Sequence, residues 1–479
     1  MDGVDIIVPF DNKPPETATY SSLQKHIAPE YFDGNLICCR YTPMLRQVLQ
    51  SVSKRGLSAP MIDIRRRFLA RHFSSSISQY SYNNDDALED LHCHHAPVTT
   101  FNEDEEMMRH VVRSWAQEEL KPIVREMDNQ CKLDPAILKG LFHQGFMGME
   151  IPEEFGGSGM SFTSACLAVE ELSRVDPSVS ILVDIHNTLT INAIRFWGSP
   201  ELQKAWLPRL ATDTVSSFCL SEADSGSDAF SMKTTATPSS DGSYFTLNGT
   251  KMWISNAKEA GVFLVFANVD HSKGYKGITA FMVDAESDGI TIGSSEDKLG
   301  LRASSTCPVI FDNVEVDQSN VLGQIGQGYK YCINILNEGR IGIGAQQVGI
   351  AKGCLDVVMP YLKERHQFGQ AIGDFQGMQH QYAQIATEIH AAEVMMYNAC
   401  RLKEAGKSFI KEASMVKLYS SQVAERTASK SIEWLGGIGF TKDLLVEKFY
   451  RDCKVGSIYE GTSNIQLQTI AKLLQAEYE

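Results

Sequence analysis

The chain carries, close to its end, the run Ser457-Ile458-Tyr459-Glu460-Gly461-Thr462-Ser463-Asn464-Ile465. This run places one carboxylate, Glu460, between an aromatic residue and a glycine. Thr462 and Ser463 are favoured N-cap residues, so the run predicts a turn that opens a terminal helix. Gly461 allows a sharp turn and close approach of a ligand. A carboxylate held beside an apolar ring on such a turn would lose solvent, which raises its pKa and suits it to act as a general base near neutral pH.

A surface glutamate in an ordinary helix-capping turn would show the same letters. Three upstream motifs favour the catalytic interpretation: Phe218–Asp228, Trp253–Ser255 and Glu433–Gly439. Hydroxyl and N–H groups of a loop rich in glycine and serine suit a flavin edge or a phosphate. A strand tryptophan offers a flat surface to an aromatic ring, and paired glycines let a nucleotide approach the backbone. Taken singly, each motif has a structural alternative: a hairpin loop, a core tryptophan or a helix end.

The composition is typical of a globular enzyme. The 479 residues are too many for one simple core, so two or three domains are expected. Hydrophobic residues make up 43% of the chain and charged residues 22%. The net charge of −15 argues against a nucleic acid as the main partner, because phosphate binding requires a basic face. No apolar run is long enough to span a bilayer.

The cysteine pattern predicts a reducing compartment and no metal site. Eleven cysteines, an odd number, are scattered along the chain, which favours free thiols over a disulfide framework. The run His92-Cys93-His94-His95 lacks a second ligand cluster at zinc-type spacing.

Residues 1–98 are predicted to be a disordered leader. From Met44 to about residue 80 the leader is rich in arginine, with Asp63 as its only acid, and it is typical of a mitochondrial presequence. A presequence normally begins a chain, so we expect translation to start also at Met44 or Met61. A disordered basic tail is the alternative. The presequence interpretation predicts a protein of the mitochondrial matrix.

The remaining chain predicts an α+β multidomain fold in three parts. Residues 99–215 have helical periodicity and predict an N-terminal helical domain. In residues 216–325 the period approaches two, which predicts a central antiparallel β domain. There Asn248-Gly249 predicts a hairpin between strands Tyr244–Leu247 and Lys251–Ser255, and Asp241-Gly242 predicts a further turn. Residues 326–479 contain four long helical patterns and predict a C-terminal helical bundle.

Together and in this order, the motifs resemble those of the acyl-CoA dehydrogenase family of flavoenzymes over residues 99–479. In that family the glutamate of the Tyr-Glu-Gly turn removes the α-proton of an acyl thioester, which implies that Glu460 is the base. The resemblance also implies that the β-hydrogen passes to FAD as a hydride, giving a trans-2-enoyl-CoA. The segments Leu299–Pro308, Leu336–Gly344 and Thr462–Leu467 are similar to those of members acting on short branched chains. The implied substrate is of the 2-methylbutanoyl-CoA type, from isoleucine degradation and fatty-acid metabolism.

The resemblance assigns a set of binding residues, some of which would reach the flavin of a neighbouring subunit. Those implied to bind FAD are Phe218, Cys219, Leu220, Ser221, Glu222, Ala223, Asp224, Ser225, Gly226, Ser227, Trp253, Ile254, Ser255, Arg365, Gln376, Glu433, Trp434, Leu435, Gly436, Gly437, Thr462, Ser463 and Asn464. Those implied to line the acyl-CoA path are Ser227, Tyr275, Tyr329, Asn337, Glu338, Gly339, Arg340 and Gly461.

Glu338 is the rival base. In some relatives the catalytic carboxylate lies on this helix, directly before the arginine. Here that position is Gly339, and Glu338 is one residue out of phase, which rotates its side chain by about 100°. Glu460 is therefore the predicted base.

The resemblance implies a homotetramer that passes electrons to electron-transferring flavoprotein. Within the enzyme class, dehydrogenases of straight short-chain, isobutyryl-CoA or glutaryl-CoA substrates are alternatives, although no cation for a glutaryl carboxylate can be placed. An acyl-CoA oxidase is a second class, but the final residues Ala476-Glu477-Tyr478-Glu479 do not form a peroxisomal signal. A non-catalytic assembly protein on this fold would be expected to lack the base.

Overall fold

The computed structural model describes residues 97–479, so the presequence-like segment and the run His92–His95 lie outside the described residues. The first part is helical. Asn102 and Glu105 form a reciprocal capping box that starts the first helix, and Asp134 caps the third, with Pro135 at its first position. The helices are α1 Glu103–Trp115, α2 Val124–Gln130, α3 Pro135–His143, α4 Phe162–Ser173, α5 Pro177–Asp184, α6 Asn192–Trp197 and α7 Pro200–Thr212.

Helices α5 and α6 are joined by a wider, π-helical segment, Ile185–Ile191. Every residue of α5 and of this segment is buried. Local π-helical turns recur at functional sites, because they change the direction of side chains without ending the helix. Leu189, on this segment, reaches the candidate active site.

The central part is a mixed sheet rather than a purely antiparallel one. Its strands are β1 Val215–Cys219, β2 Thr235–Pro238, β3 Tyr244–Ser255, β4 Ala260–Asn268, β5 Ile278–Asp284, β6 Ile290–Ile292, β7 Thr306–Asp317 and β8 Val321–Leu322. They lie in the order β6-β7-β3-β2-β4-β5-β8, with β1 beside β4. The pairings β1–β4 and β2–β4 are parallel, whereas the others are antiparallel. The predicted turn at Asp241-Gly242 joins β2 to β3.

The hairpin predicted at Asn248-Gly249 is wrong, because β3 runs through these residues without reversing. The irregularity here is a shift in register against β7, and Asn313 of β7 donates its backbone N–H to Asn248 Oδ1 at 2.9 Å. A Cβ atom at position 249 would lie 2.4 Å from Thr234 Oγ1. The glycine therefore allows close approach of a neighbouring backbone within a strand, which is its other common role there.

The C-terminal part is built on long helices, as predicted. They are α8 Gly328–Glu364, α9 Gln376–Glu404 and α10 Ile410–Leu435, followed by the shorter α11 Val446–Cys453 and α12 Ser463–Glu477. The short strands β9 His366–Gln367 and β10 Gln370–Ala371 pair between α8 and α9. Helix α8 packs against α4, α9, α10 and the π-helical segment. The predicted fold class, helices followed by a β part and then a helical bundle, is confirmed.

Candidate active site

Glu460 lies on a turn whose backbone is unusual. Glu460 has φ +52° and Gly461 has φ +86°, so two consecutive residues adopt the left-handed region before α12 begins. Thr462 caps that helix by accepting a hydrogen bond from Ile465 N–H, as the sequence predicts. A non-glycine residue in this region costs about 1–3 kcal/mol and persists where the surroundings hold it. Such outliers concentrate at functional sites.

The carboxylate of Glu460 is directed at helix α8. A Cβ atom at position 339 would lie 3.1 Å from Glu460 Oε2 and 2.8 Å from Leu189 Cδ2. Gly339 therefore leaves the space that the carboxylate occupies. Glu460 Oε2 is itself buried and has no hydrogen-bond partner within residues 97–479. An unpartnered buried carboxylate oxygen is costly, and it is expected where a reacting group must be left free.

Burial raises the pKa of Glu460 to about 7, although Arg340 and Lys417 lower it. A carboxyl with this pKa is half ionised near neutral pH and is a much stronger base than an exposed glutamate. Arg340 Nη1 donates to Asn337 Oδ1 at 2.7 Å and to Ser414 Oγ at 3.3 Å. The positive charge of Arg340 thus acts on Glu460 while its hydrogen bonds go to Asn337 on the same helix and to Ser414 of α10.

Glu338 lies in a different environment from Glu460. Its carboxylate accepts hydrogen bonds from Asn192 Nδ2 at 2.8 Å and from Lys403 Nζ at 3.1 Å, and Lys403 also pairs with buried Glu150. Burial raises the pKa of Glu338 to about 7, with Lys403 opposing that change. The rival base thus has a similar pKa but is engaged by a lysine and an amide. The expectation that its side chain lines the acyl path is not supported by these contacts.

A second buried carboxyl group, Asp184 of α5, lies against Gly342, about one turn along α8 from Gly339. A Cβ atom at position 342 would lie 1.9 Å from Asp184 Oδ1, so Gly342 makes room for it as Gly339 does for Glu460. Thr188 Oγ1 donates to Asp184 Oδ1 at 3.1 Å. Burial, and then the nearby Glu460, raise the pKa of Asp184 well above its usual range. The protonated form of Asp184 is therefore favoured relative to that of an exposed aspartate.

Trp253 has the exposure and orientation expected of a ligand platform. It adopts φ +63°, at a register shift of β3 against β7 between Lys251 and Ile254. Its side chain is 59% exposed, whereas Ile254 beside it is buried. A tryptophan on a core-facing position would be covered, so the core alternative is excluded. Exposure of a flat indole fits a planar aromatic ligand.

The loop after β1 is fixed to β3 by a buried ion pair. Lys251 Nζ donates to Glu222 Oε1 at 2.9 Å and to Leu220 O at 3.0 Å, and both side chains are almost fully covered. Glu222 also accepts the N–H groups of Lys233 and Thr234. Burial alone would raise the pKa of Glu222, but Lys251 and these donors outweigh it and lower the pKa. The Glu222 carboxylate is therefore fully engaged in hydrogen bonds within the protein and is not free to contact a cofactor.

The other residues of this loop differ in how they could meet a ligand. Cys219 and Leu220 point into the core, and Ser225 is buried with its hydroxyl donated to Asp228 O. These residues offer a ligand only backbone groups. Partly covered Phe218, Ser221 and Ser255 lie at the rim. The predicted cofactor residues of the loop that are exposed are Ala223, Asp224, Gly226 and Ser227.

One apolar cluster connects the loop to the catalytic turn. It contains Leu220 of the loop and Leu189 above Gly339, and Tyr459, the neighbour of Glu460, packs against it. The Tyr459 hydroxyl is hydrogen-bonded to Gln346 of α8. The candidate flavin loop and the candidate base therefore border the same core.

Tyr275 and Tyr329 form a second aromatic element. Their ring centroids are 4.9 Å apart, and Phe230 packs edge-on to Tyr329. Beside them is a cavity of about 220 Å³ lined by Lys273, Lys276 and Tyr329, among others. Two cations beside aromatic rings suit the phosphates of a nucleotide.

The remaining predicted cofactor residues lie on other elements. Arg365, Gln376, Glu433, Gly436 and Gly437 are exposed. Trp434 and Leu435 are core residues instead, and Trp434 Nε1 donates to Gln381 Oε1 at 3.1 Å. Within residues 97–479 no hydrogen bond joins these residues to Trp253 or to the loop after β1. Ser463 is partly covered at the start of α12 and Asn464 is exposed.

The sequence reasoning missed the groups that support Glu460, of which Lys417 and Gln466 are the most direct. Lys417 is fully buried on α10, among residues that form the apolar face of this helix. A single lysine at a position of the apolar face could have indicated a buried lysine with a polar partner. Asp184, which follows an apolar run, gave a similar signal.

None of the helices within 97–479 is both long and apolar enough to cross a membrane. Over the same span, the His, Cys, Asp and Glu side chains form no group of three or more that could hold a metal ion.

Three family models match consecutive parts of the chain. The acyl-CoA dehydrogenase N-terminal domain matches residues 102–214, the middle domain matches 217–314 and the C-terminal domain matches 326–475. The order is that of the helical, β and helical parts described above.

Individual relatives agree with the family models. The chain is 55% identical over 383 residues to the mitochondrial short/branched chain specific acyl-CoA dehydrogenase of Rattus norvegicus, covering 80% of this chain and 88% of the relative. A solved structure of butyryl-CoA dehydrogenase from Megasphaera elsdenii is 34% identical, with a TM-score of 0.77, over 78% of this chain and 99% of that one. A glutaryl-CoA dehydrogenase from Mycobacterium smegmatis, in complex with FADH2, is 31% identical with a TM-score of 0.74, over 78% and 95% of the two chains.

Proposed function

The chain belongs to the acyl-CoA dehydrogenase family of FAD-dependent oxidoreductases, and on this premise we propose that it oxidises short branched acyl-CoA thioesters with Glu460 as the general base. The observation that carries the base assignment is the buried, unpartnered Oε2 of Glu460 above Gly339. The nearby carboxylates of Asp184, Glu338 and Glu222 all accept hydrogen bonds.

The residues present fit FAD. The exposed indole of Trp253 suits the flat face of the ring system, and the exposed Gly226 and Ser227 leave the loop open to its polar edge. We assign the exposed Arg365, Gln376 and Glu433–Gly437 segment to the FAD of a neighbouring subunit in a homotetramer. When bound, FAD supplies the acceptor for the two electrons and the hydrogen that leave the β-carbon.

The chain's own groups carry out the other half of the reaction. Glu460 takes the α-proton of the thioester, so the C–H electron pair moves toward the Cα–Cβ bond as the β-hydrogen departs. The Glu460 N–H makes no hydrogen bond within residues 97–479 and is available to the thioester oxygen, where negative charge develops. Leu189 and Tyr459 belong to, or pack against, one apolar cluster beside the turn, which limits the access of water to the carboxylate. The product is a trans-2-enoyl-CoA.

Binding of the thioester would run along the aromatic pair. Tyr275 and Tyr329 offer apolar contact to the pantetheine, and Lys273 and Lys276 offer charge to the phosphates. The substrate of the 2-methylbutanoyl-CoA type is supported by the 55% identity to a short/branched-chain-specific relative. We propose a mitochondrial protein, in the matrix, that delivers electrons to electron-transferring flavoprotein. The similarity to the mitochondrial enzyme of Rattus norvegicus supports the compartment, and the family resemblance supports the partner.

The test is anaerobic bleaching of the flavin with (S)-2-methylbutanoyl-CoA, isobutanoyl-CoA, butanoyl-CoA and glutaryl-CoA. We expect (S)-2-methylbutanoyl-CoA to give the largest second-order rate constant. A clear preference for butanoyl-CoA or isobutanoyl-CoA would assign the chain to the corresponding alternative. Rapid reoxidation of the reduced flavin by oxygen, with no reaction with electron-transferring flavoprotein, would indicate an oxidase.

A further inference from the structure

Lys417 is a buried lysine that faces the turn carrying Glu460. It lies in the middle of α10 with its side chain fully covered, and its Nζ donates a hydrogen bond to the Gly461 carbonyl oxygen at 2.6 Å. A lysine without solvent loses several kcal/mol of hydration free energy unless its charge is compensated. Glu460 is the carboxylate that raises the pKa of Lys417, so it is the compensating charge.

The hydrogen bond from Lys417 acts on a strained piece of backbone. Gly461 O also accepts from Gln466 Nε2 at 2.9 Å, and the same amide donates to Glu460 O at 3.0 Å. Lys417 and Gln466 therefore hold both carbonyl groups of the left-handed pair. Because the direction of the Glu460 side chain depends on this backbone, a change in either restraint would move the carboxylate from its position above Gly339.

The titratable groups around Glu460 lie on four elements. Arg340 and the thiol of Cys332 lie on α8, Asp184 lies on α5, Tyr459 precedes Glu460 on the turn, and Lys417 lies on α10. Burial raises the pKa values of Asp184, Cys332 and Tyr459, which favours the neutral form of each. The cations Arg340 and Lys417 are thus the charged groups that act on Glu460.

Of the two cations, Lys417 is the one tied to the turn itself. Arg340 directs its hydrogen bonds to Asn337 and Ser414. Burial lowers the pKa of Lys417 to about 8, while Glu460 raises it and Arg340 lowers it further. The ammonium form therefore prevails at neutral pH.

We propose that Lys417 is a positioning residue for proton abstraction: it holds the Gly461 carbonyl so that the Glu460 carboxylate stays above Gly339, and its charge favours the ionised form of that carboxylate. This inference rests on the proposed role of Glu460 as the base. It makes the lysine distinct from Gln466, which restrains the same turn without charge.

The experiment compares Lys417→Met, Lys417→Gln, Lys417→Arg and Gln466→Met with the wild-type holoenzyme. For each variant, kcat, KM and the pH midpoint of kcat/KM are measured from about pH 5 to about pH 9. The charge of Lys417 acts in the lower part of this range, since its pKa is about 8. Flavin content and Tm are recorded alongside. Glu460→Gln is measured in parallel to test the base assignment itself.

We expect Lys417→Met to lower kcat by about 10- to 100-fold with KM changed less than about threefold, because the carboxylate is misdirected while the substrate contacts remain. The pH midpoint should rise by about 1 pH unit, because a nearby cation no longer favours the carboxylate. Lys417→Gln keeps a hydrogen-bond donor but no charge and should show the same rise with a smaller loss of kcat. Lys417→Arg should return the midpoint toward the wild-type value.

Gln466→Met should lower kcat without moving the midpoint. If Lys417→Met does not retain flavin, the Lys417→Gln and Lys417→Arg pair decides the question. An unchanged midpoint in both neutral variants would overturn the proposal and leave Lys417 a structural residue. Normal flavin reduction by Glu460→Gln would instead overturn the base assignment, whatever the lysine variants show.

Discussion

The carboxylate of Glu460 lies against Gly339 of helix α8, where a Cβ atom would come within 3.1 Å of its Oε2 and within 2.8 Å of Leu189 Cδ2. A side chain at position 339 and the carboxylate at position 460 therefore compete for one space. The helix position that supplies the base in some relatives is here kept empty for a carboxylate that arrives from the C-terminal turn. This relationship explains why the residue directly before Arg340 is a glycine.

Gly339→Ala should displace the Glu460 carboxylate. The added methyl group must push aside Oε2 or Leu189, and a displacement of about 1 Å in a reacting group can lower the rate about 100-fold. We expect flavin reduction by acyl-CoA to slow by about 10- to 100-fold while FAD stays bound. Stopped-flow bleaching measures the rate. Asn334→Ala, on an exposed position of the same helix, is the control and should react at the wild-type rate; equal rates for both variants would mean that the carboxylate does not need this space.

The pH dependence of the reaction should follow Glu460. Burial raises the pKa of this carboxyl to about 7, and only its ionised form accepts a proton. The rate therefore increases as pH rises through the pKa, and well below the midpoint kcat/KM should fall about tenfold for each pH unit. Initial rates across a pH series give the midpoint, which for kcat/KM refers to the free enzyme. A profile that is flat from about pH 5 to about pH 8 would exclude a base with this pKa.

Glu338→Gln separates the two carboxyl groups that share a pKa of about 7. Because Glu338 is bonded to Asn192 and paired with Lys403, its loss should affect folding rather than proton abstraction. We expect a lower Tm, together with wild-type flavin reduction and an unchanged pH midpoint. A folded, flavin-loaded Glu338→Gln protein without reductive activity would make Glu338 the base.

The buried pair Lys251–Glu222 should hold the loop after β1 to the strand that carries Trp253. Lys251→Met leaves the Glu222 carboxylate buried without its partner, which typically costs about 3–5 kcal/mol. Urea unfolding gives that free energy, and the released flavin reports the state of the loop; both should change. The exposed pair Lys233–Asp224 provides the control, since Lys233→Met should unfold at the wild-type urea concentration and keep its flavin. Equal behaviour of the two variants would show that the buried pair is dispensable.

Signals that are local in sequence were sufficient for much of this account. Thr462 caps α12, and Asp134 and Pro135 start α3. Apolar periodicity predicts the long helices α8, α9 and α10. These signals could be read from the sequence because caps and periodicity depend only on neighbouring residues. The Asn248-Gly249 hairpin failed because long pairing of β3 with β7 prevailed over a two-residue turn preference.

The arrangement around the base could not be predicted, because it depends on packing between distant elements. Lys417 binds the carbonyl oxygen of Gly461, which is 44 positions later in the chain, and Asp184 lies against Gly342 of a different helix. Glu222 was predicted to contact the cofactor, yet a lysine 29 positions later binds its carboxylate. The sequence shows that each of these residues is polar, but which group it binds is determined by the tertiary fold.

The most direct test of the account is flavin reduction by Glu460→Gln. The amide has nearly the same shape as the carboxylate but accepts no proton at neutral pH, so the holoenzyme should keep its yellow flavin and still bind acyl-CoA. Mixed anaerobically with (S)-2-methylbutanoyl-CoA, it should lose most of the bleaching seen with the wild-type protein, by about 1,000-fold or more in rate. Bleaching at a near-normal rate would contradict the central claim that Glu460 removes the α-proton.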